Sequence, residues 1–146
     1  MLQKRIDSSS TPHLQTLIQQ WLELRQNVLV HYSELCATQN TEPKSLQRFC
    51  QYLMDYVSMG HFKMFEKLAE HHENNESYSK GLNKNLLLKI TLTTDAVLNF
   101  NDKYTEIKNL NALSTDLSHI GEALAHRMDW EDALIKAAAP RYTKSK

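Results

Sequence analysis

Seven histidines and seventeen acidic residues in 146 give this chain enough ligand-type side chains for a metal site. Helical bundles that hold two irons or manganeses use inward Glu residues and Glu-x-x-His pairs. No Glu-x-x-His occurs here. His61 falls near the core side of its helix, but Glu66 turns away from it. Glu122 and His126 have i, i+4 spacing, yet they lie on the side away from their helix's apolar stripe. A surface zinc held by such residues would be non-specific. Nucleophile chemistry has no better support. There is no G-x-S-x-G, no P-loop and no G-x-G-x-x-G. Three glycines are too few for a phosphate-cradling loop. The expectation is no metal, no cofactor and no enzymatic activity, with a metal-binding bundle as the chemical alternative.

A different kind of chemistry, recognition, fits one helix better. The line through Leu46, Phe49, Leu53 and Val57 marks its apolar side. At about 100° per residue, Asp55 projects almost directly opposite. Ser58 and Phe62 follow at i+3 and i+7 from Asp55, provided the helix continues through Gly60, where a glycine costs about 1 kcal/mol. A carboxylate, a hydroxyl and a phenyl ring then share a face that the core does not need. One reading is a solvated surface. The other is a docking stripe, with a ring for a partner's pocket and an acid for a partner's Arg or Lys.

Charges also interrupt apolar stripes. Arg25 lies within the stripe of the first helix, and Arg127 and Glu131 lie four residues apart in that of the last. Unpaired buried charge is costly, so these groups must pair or face water. They form either an internal ion-pair network with Glu131 as acceptor or the lining of a groove. In the groove reading, Trp21 and Arg25 are half exposed to a partner. In the other, Trp21 is core.

The elements that must position these residues are helices. Apolar spacing fits the 3.6 period, and only three Gly and three Pro interrupt it. The first helix is expected to start after Thr11-Pro12 and to carry Leu14, Leu17, Ile18, Trp21, Arg25, Val28, Leu29, Tyr32, Leu35 and Cys36. The second opens near Pro43 and runs through Gly60 with His61, Met64 and Leu68. His71 to Ser79 reads as a loop or frayed end. The third spans roughly Gly81 to Tyr104 with Leu86, Ile90, Thr93 and Val97. The fourth runs from about Leu113 to Ala138 through Leu117, Ile120, Gly121, Leu124, Met128 and Ile135, and Pro140 blocks extension. The expected fold is all-α, an antiparallel up-and-down four-helix bundle. Its parts are a flexible segment 1–12, one bundle domain 13–139 and a disordered basic tail 140–146.

Seventeen basic residues balance seventeen acidic ones. A nucleic-acid binder usually shows a basic excess, so no direct nucleic-acid contact is expected. Cys36 and Cys50 form no C-x-x-C pair and read as two reduced, buried thiols. No apolar run resembles a signal peptide or a membrane span, which leaves the cytoplasm by elimination.

These stretches carry a resemblance. Phe49-Cys50-Gln51-Tyr52-Leu53-Met54-Asp55-Tyr56-Val57-Ser58-Met59-Gly60-His61-Phe62, continuing to Phe65-Glu66, resembles the pattern F-C-x-x-L-x-D-Y-x-S-x-G-H-F-x-x-[YF]-E of the Rsd/AlgQ family, the regulators of sigma D. Leu17-Ile18-Gln19-Gln20-Trp21-Leu22-Glu23-Leu24-Arg25 is similar to its L-[IV]-x-x-W-L-x-x-R. A third stretch, Leu117 to Leu124 with Arg127 and Glu131-Asp132, matches as well. The third helix matches poorly.

The resemblance implies an anti-sigma factor. Such proteins bind the primary, housekeeping sigma factor of bacterial RNA polymerase, mainly its C-terminal domain, which reads the −35 element and docks on core polymerase. Occupying that domain blocks both contacts. The family's sigma-facing surface maps to Leu17 and Trp21 on the first helix and to Asp55, Ser58 and Phe62 on the second, with Arg25 as a neighbour. The resemblance also leaves open a regulatory hub that binds a phosphotransferase carrier or a stringent-response protein. A weak homodimer is a further open point.

Overall fold

The chain's computed structural model describes residues 2–38, 41–65, 80–105 and 110–138, without the side chains of 2–12, 62, 80–83 and 138. Four long helices account for nearly all of it: α1 Leu2–Ala37, α2 Pro43–Met59, α3 Lys80–Thr105 and α4 Leu113–Ala138. A π-helical segment, Gly60–Met64, continues α2. No strand occurs among the described residues.

Local chemistry sets the ends. Thr38 closes α1, its Oγ1 donating to the Glu34 carbonyl at 2.8 Å. Pro43 takes the first turn of α2 behind Glu42, where its missing N–H costs nothing. Asp116 in the first turn of α4 complements the positive end of the helix dipole. At its own start α1 departs from expectation. It begins at Leu2 and contains Pro12, which withholds one N–H from the ladder. His71 to Ser79, Leu68 and the tail 140–146 lie outside the described residues.

α1 packs along α2, α2 along α3 and α3 along α4, while α1 and α4 approach closely over only a short stretch. Ring pairs show the direction of each neighbour. Tyr32 faces Phe49 at 6.0 Å and Trp21 faces Tyr56 at 6.2 Å, so α1 and α2 run antiparallel. Phe49 meets Phe100 edge-on at 5.8 Å, which joins α2 to α3. Tyr104 meets Asp116 near one end of the α3/α4 pair, and Thr94 meets Arg127 further along it. The fold is the up-and-down four-helix bundle.

The core follows the predicted stripes of α2, α3 and α4, whereas in the α1 stripe Leu29 and Cys36 are exposed. Leu46, Phe49, Leu53 and Val57 of α2 are buried, as are Leu86, Ile90, Thr93 and Val97 of α3 and Leu117, Ile120, Leu124, Met128 and Ile135 of α4. Two glycines mark close approaches. A Cβ on Gly60 would lie 3.1 Å from Phe65 and 3.3 Å from Trp21 Nε1. A Cβ on Gly121 would overlap the Tyr32 hydroxyl, which crosses that spot to donate to the Leu117 carbonyl at 2.8 Å.

Candidate functional site

The π segment decides how α2 presents its C-terminal turn. Its ladder closes from the Phe65 N–H to the Gly60 carbonyl, five residues back. A π turn holds one residue more than an α turn, so faces extrapolated at 100° per residue shift beyond Gly60. His61 is exposed rather than on the core side, while Met64 is buried and the slower rotation of the π turn brings Phe65 into the core with it. The Phe62 side chain lies outside the described residues, and the placement extrapolated for it crosses this shift.

Upstream of the segment, Asp55 is exposed beside two buried neighbours, Tyr56 and Val57. Gln51, one turn earlier, donates from Nε2 to Asp55 Oδ1 at 3.0 Å. Ser58 is half-buried, and so is Leu17 on α1, packed against the core. Trp21 is not half exposed. It has 0% exposure, stacks on Tyr56 and meets Phe65 edge-on at 5.6 Å. The absence of a side chain at Gly60 is what lets the indole come so close to α2. Its Nε1 is buried without a hydrogen-bond partner among the described residues. Trp21 therefore supports the surface of α1 and α2 from beneath.

The charged residues form a separate cluster. Arg127 donates from Nε to Glu131 Oε2 at 2.9 Å, with both side chains at 0% exposure. Its Nη1 reaches across to α3, to the Ile90 carbonyl at 3.2 Å, Thr93 Oγ1 at 3.2 Å and Thr94 Oγ1 at 2.7 Å. The guanidinium also lies over the rings of Tyr56, 5.4 Å away, and Phe65, 5.6 Å away. Tyr56 from α2 donates its hydroxyl to the other Glu131 oxygen. Arg25 from α1 approaches that oxygen at 3.7 Å and is held by Asp132 through two hydrogen bonds of 2.8 and 3.2 Å. One carboxylate thus joins groups from three helices, and Arg127 adds the fourth.

Burial pushes the Glu131 carboxyl up to about 7, against the pull of Arg127, the Tyr56 hydroxyl and Arg25, all of which favour the anion. Burial, followed by the neighbouring Glu131 charge, raises Tyr56 well above the ordinary phenol range and keeps it a donor. The choice between network and groove resolves by depth. Arg127 and Glu131 are interior, whereas Arg25 sits at the rim with 18% of its side chain exposed and Asp132 outside it at 55%.

The structure brings Arg25, Arg127 and Glu131 together, turns Asp55 to solvent and leaves Leu17 and Ser58 half-buried on α1 and α2. Sequence reasoning missed Tyr56, Thr93, Thr94 and Asp132 as partners in the cluster. Tyr56 carried a signal: a tyrosine three residues after Leu53 is core-facing, and a buried hydroxyl needs an acceptor. The periodicity of α3 puts Thr93 in the buried stripe but gives its hydroxyl no role.

Among the described residues no group of three or more His, Cys, Asp or Glu could hold a metal ion. Glu122 and His126 are both exposed. Cys50 is buried, but Cys36 is exposed, a correction to the expectation of two buried thiols. No helix among the described residues is long and apolar enough to cross a membrane.

Comparison with known proteins extends this picture. The regulator of sigma D of Yersinia enterocolitica serotype O:8 / biotype 1B is 33% identical over 144 residues, covering 89% of this chain and 84% of that protein. That of Yersinia pseudotuberculosis serotype O:1b is 34% identical over 137 residues, with 84% and 79% covered. That of Pectobacterium carotovorum subsp. carotovorum is 32% identical over 131 residues, with 82% and 86% covered. No solved structure matches the chain significantly. The model of the family described as regulator of RNA polymerase sigma(70) subunit, Rsd/AlgQ, matches residues 3–139. With almost the whole bundle inside that match, this chain belongs to the Rsd/AlgQ family of sigma-factor regulators.

Proposed function

We propose that this chain is an anti-sigma factor that binds the C-terminal, −35-reading domain of the primary sigma factor and keeps it from core RNA polymerase and promoter DNA. The contact surface in this reading is Leu17 on α1 and Asp55, Ser58 and Phe62 on and just beyond α2, with Arg25 at its edge and Trp21 as the rigid support. A DNA-reading domain is basic where it meets phosphate, so the exposed carboxylate of Asp55 pairs with one of its cations. Leu17 and Phe62 bury apolar surface beside that pair, each contributing on the order of 1–3 kcal/mol. Inhibition needs no chemistry. Two partners compete for one surface, and mass action sets the outcome.

The observation that carries this reading is Asp55, an acid turned to solvent directly before the buried Tyr56 and Val57. Calorimetry with the isolated C-terminal domain of a housekeeping sigma factor tests it. Asp55→Ala is expected to weaken binding by roughly 2–5 kcal/mol, as for a desolvated charge pair, and to leave stability within about 0.5 kcal/mol. Phe62→Ala weakens binding as well. Trp21→Ala is a poor probe, because emptying that site costs about 3–5 kcal/mol of folding stability. Binding untouched by Asp55→Ala and Phe62→Ala removes the surface assignment. Absence of any binding removes the function.

A further inference from the structure

Lys84, Leu88, Leu92 and Asp95 form one stripe on the outer side of α3, at i, i+4, i+8 and i+11. Leu88 is 62% exposed and Leu92 64%, well above Leu29, Val30 and Leu98 at 37–42%. Lys84 and Asp95 are exposed with them. The helix's own core residues, Leu86, Ile90, Thr93 and Val97, face the other way. Neither the bundle nor the surface assigned to sigma uses this stripe.

Its order along the helix is cation, leucine, leucine, anion. Laid antiparallel on itself about a two-fold axis level with Ile90, that order is self-complementary. Leu88 of one copy opposes Leu92 of the other. Lys84 comes within one residue's rise, about 1.5 Å along the axis, of the level of Asp95 in the other copy, close enough for a lysine side chain to pair with it. The symmetry makes both contacts twice. Parallel pairing would instead place lysine against lysine and aspartate against aspartate. We propose that this face of α3 joins two copies of the chain in an isologous, antiparallel dimer. The extended packing of α3 is with α2 and α4, so α3 stands diagonal to α1 across the bundle. The dimer face therefore points away from Leu17 and Arg25 and leaves the α1 surface open. Two leucines per copy fall short of the apolar area of a permanent dimer, so the association is weak and depends on concentration.

Sedimentation of the full chain over a concentration series tests the proposal without any sigma factor present. The weight-average mass should climb from monomer towards dimer. Leu88→Ser with Leu92→Ser should hold it at the monomer over the same range. Lys84→Glu should raise the dimer dissociation constant about tenfold or more, because it faces Asp95 of the other copy with a like charge. Lys84→Glu combined with Asp95→Lys should restore it, since the swapped order is again self-complementary. All four positions are exposed, and circular dichroism confirms that the variants keep their helices. A wild-type chain that stays monomeric throughout overturns the proposal, as does a dimer that these substitutions leave unchanged.

Discussion

Arg127 Nε and Glu131 Oε2 lie 2.9 Å apart, one turn from each other on α4, and neither side chain is exposed to solvent. The pair is also the junction of the bundle, since Tyr56, Arg25 and the α3 threonines all bond to one member or the other. Glu131→Ala strands the Arg127 cation among neutral acceptors and two aromatic rings. Urea denaturation should show a loss of about 3–5 kcal/mol. Arg127→Leu with Glu131→Leu should cost less than that single change, because no charge is then left buried. A Glu131→Ala loss under about 1 kcal/mol would contradict the cluster as described.

Gly121→Ala should destabilise more than Gly60→Ala. At Gly121 the added methyl overlaps the Tyr32 hydroxyl and comes 2.6 Å from its Cζ, whereas at Gly60 the closest atom is 3.1 Å away. Overpacking of this kind costs about 1–3 kcal/mol. Tyr32→Ala in the Gly121→Ala background clears the overlap, so it should add less destabilisation there than in the wild type. Thermal denaturation of the four proteins as a double-mutant cycle checks this, and a cycle that shows strict additivity counts against it.

Acid sensitivity should trace in part to the start of α4. Hydrogen bonds from Lys103 at 2.7 Å and Tyr104 at 2.5 Å hold the Asp116 carboxyl below its ordinary 3.8. In the unfolded chain this carboxyl takes up its proton at the ordinary value, before it does so in the folded one. Its contribution is therefore complete above 3.8 and is lost as the pH falls through the lower, folded value. Denaturation midpoints between about pH 5 and pH 2 should fall more steeply for the wild type than for Asp116→Asn. Parallel curves would show that Asp116 carries no such linkage.

The thiols should separate cleanly. Burial pushes Cys50 up to about 11 and shields it, while Cys36 is exposed. Ellman's reagent should titrate one thiol quickly in the native protein and the second only on unfolding. Two fast thiols would mean that the α2 core opens readily.

The helices and their buried faces were legible because amphipathic periodicity is local. Leu46, Phe49, Leu53 and Val57 declare a stripe without knowledge of any neighbour. The α4 pair Arg127 and Glu131 was legible for the same reason, four residues apart on an apolar face. Its partners Tyr56, Thr93 and Thr94 were not, because which helix lies opposite depends on packing rather than spacing. The π turn was hidden as well. One extra residue per turn leaves no mark in composition, and it turns Phe65 inward. Trp21 was read both ways, and Gly60 decides between them, since a notch in α2 opposite the indole turns a plausible surface anchor into core.

α1 and α4 share little close backbone approach, and among the described residues long-armed fastenings reach across that side of the molecule: Tyr32 to the Leu117 carbonyl, and Arg25 to Glu131 and Asp132. The two helical hairpins are thus hinged like book covers, with the continuous seam between α2 and α3 as the spine and a pair of clasps at the fore-edge. Releasing the clasps would leave that edge held by the packing of the shared apolar core alone. Any force or ligand that prises this bundle apart should therefore begin at the fore-edge.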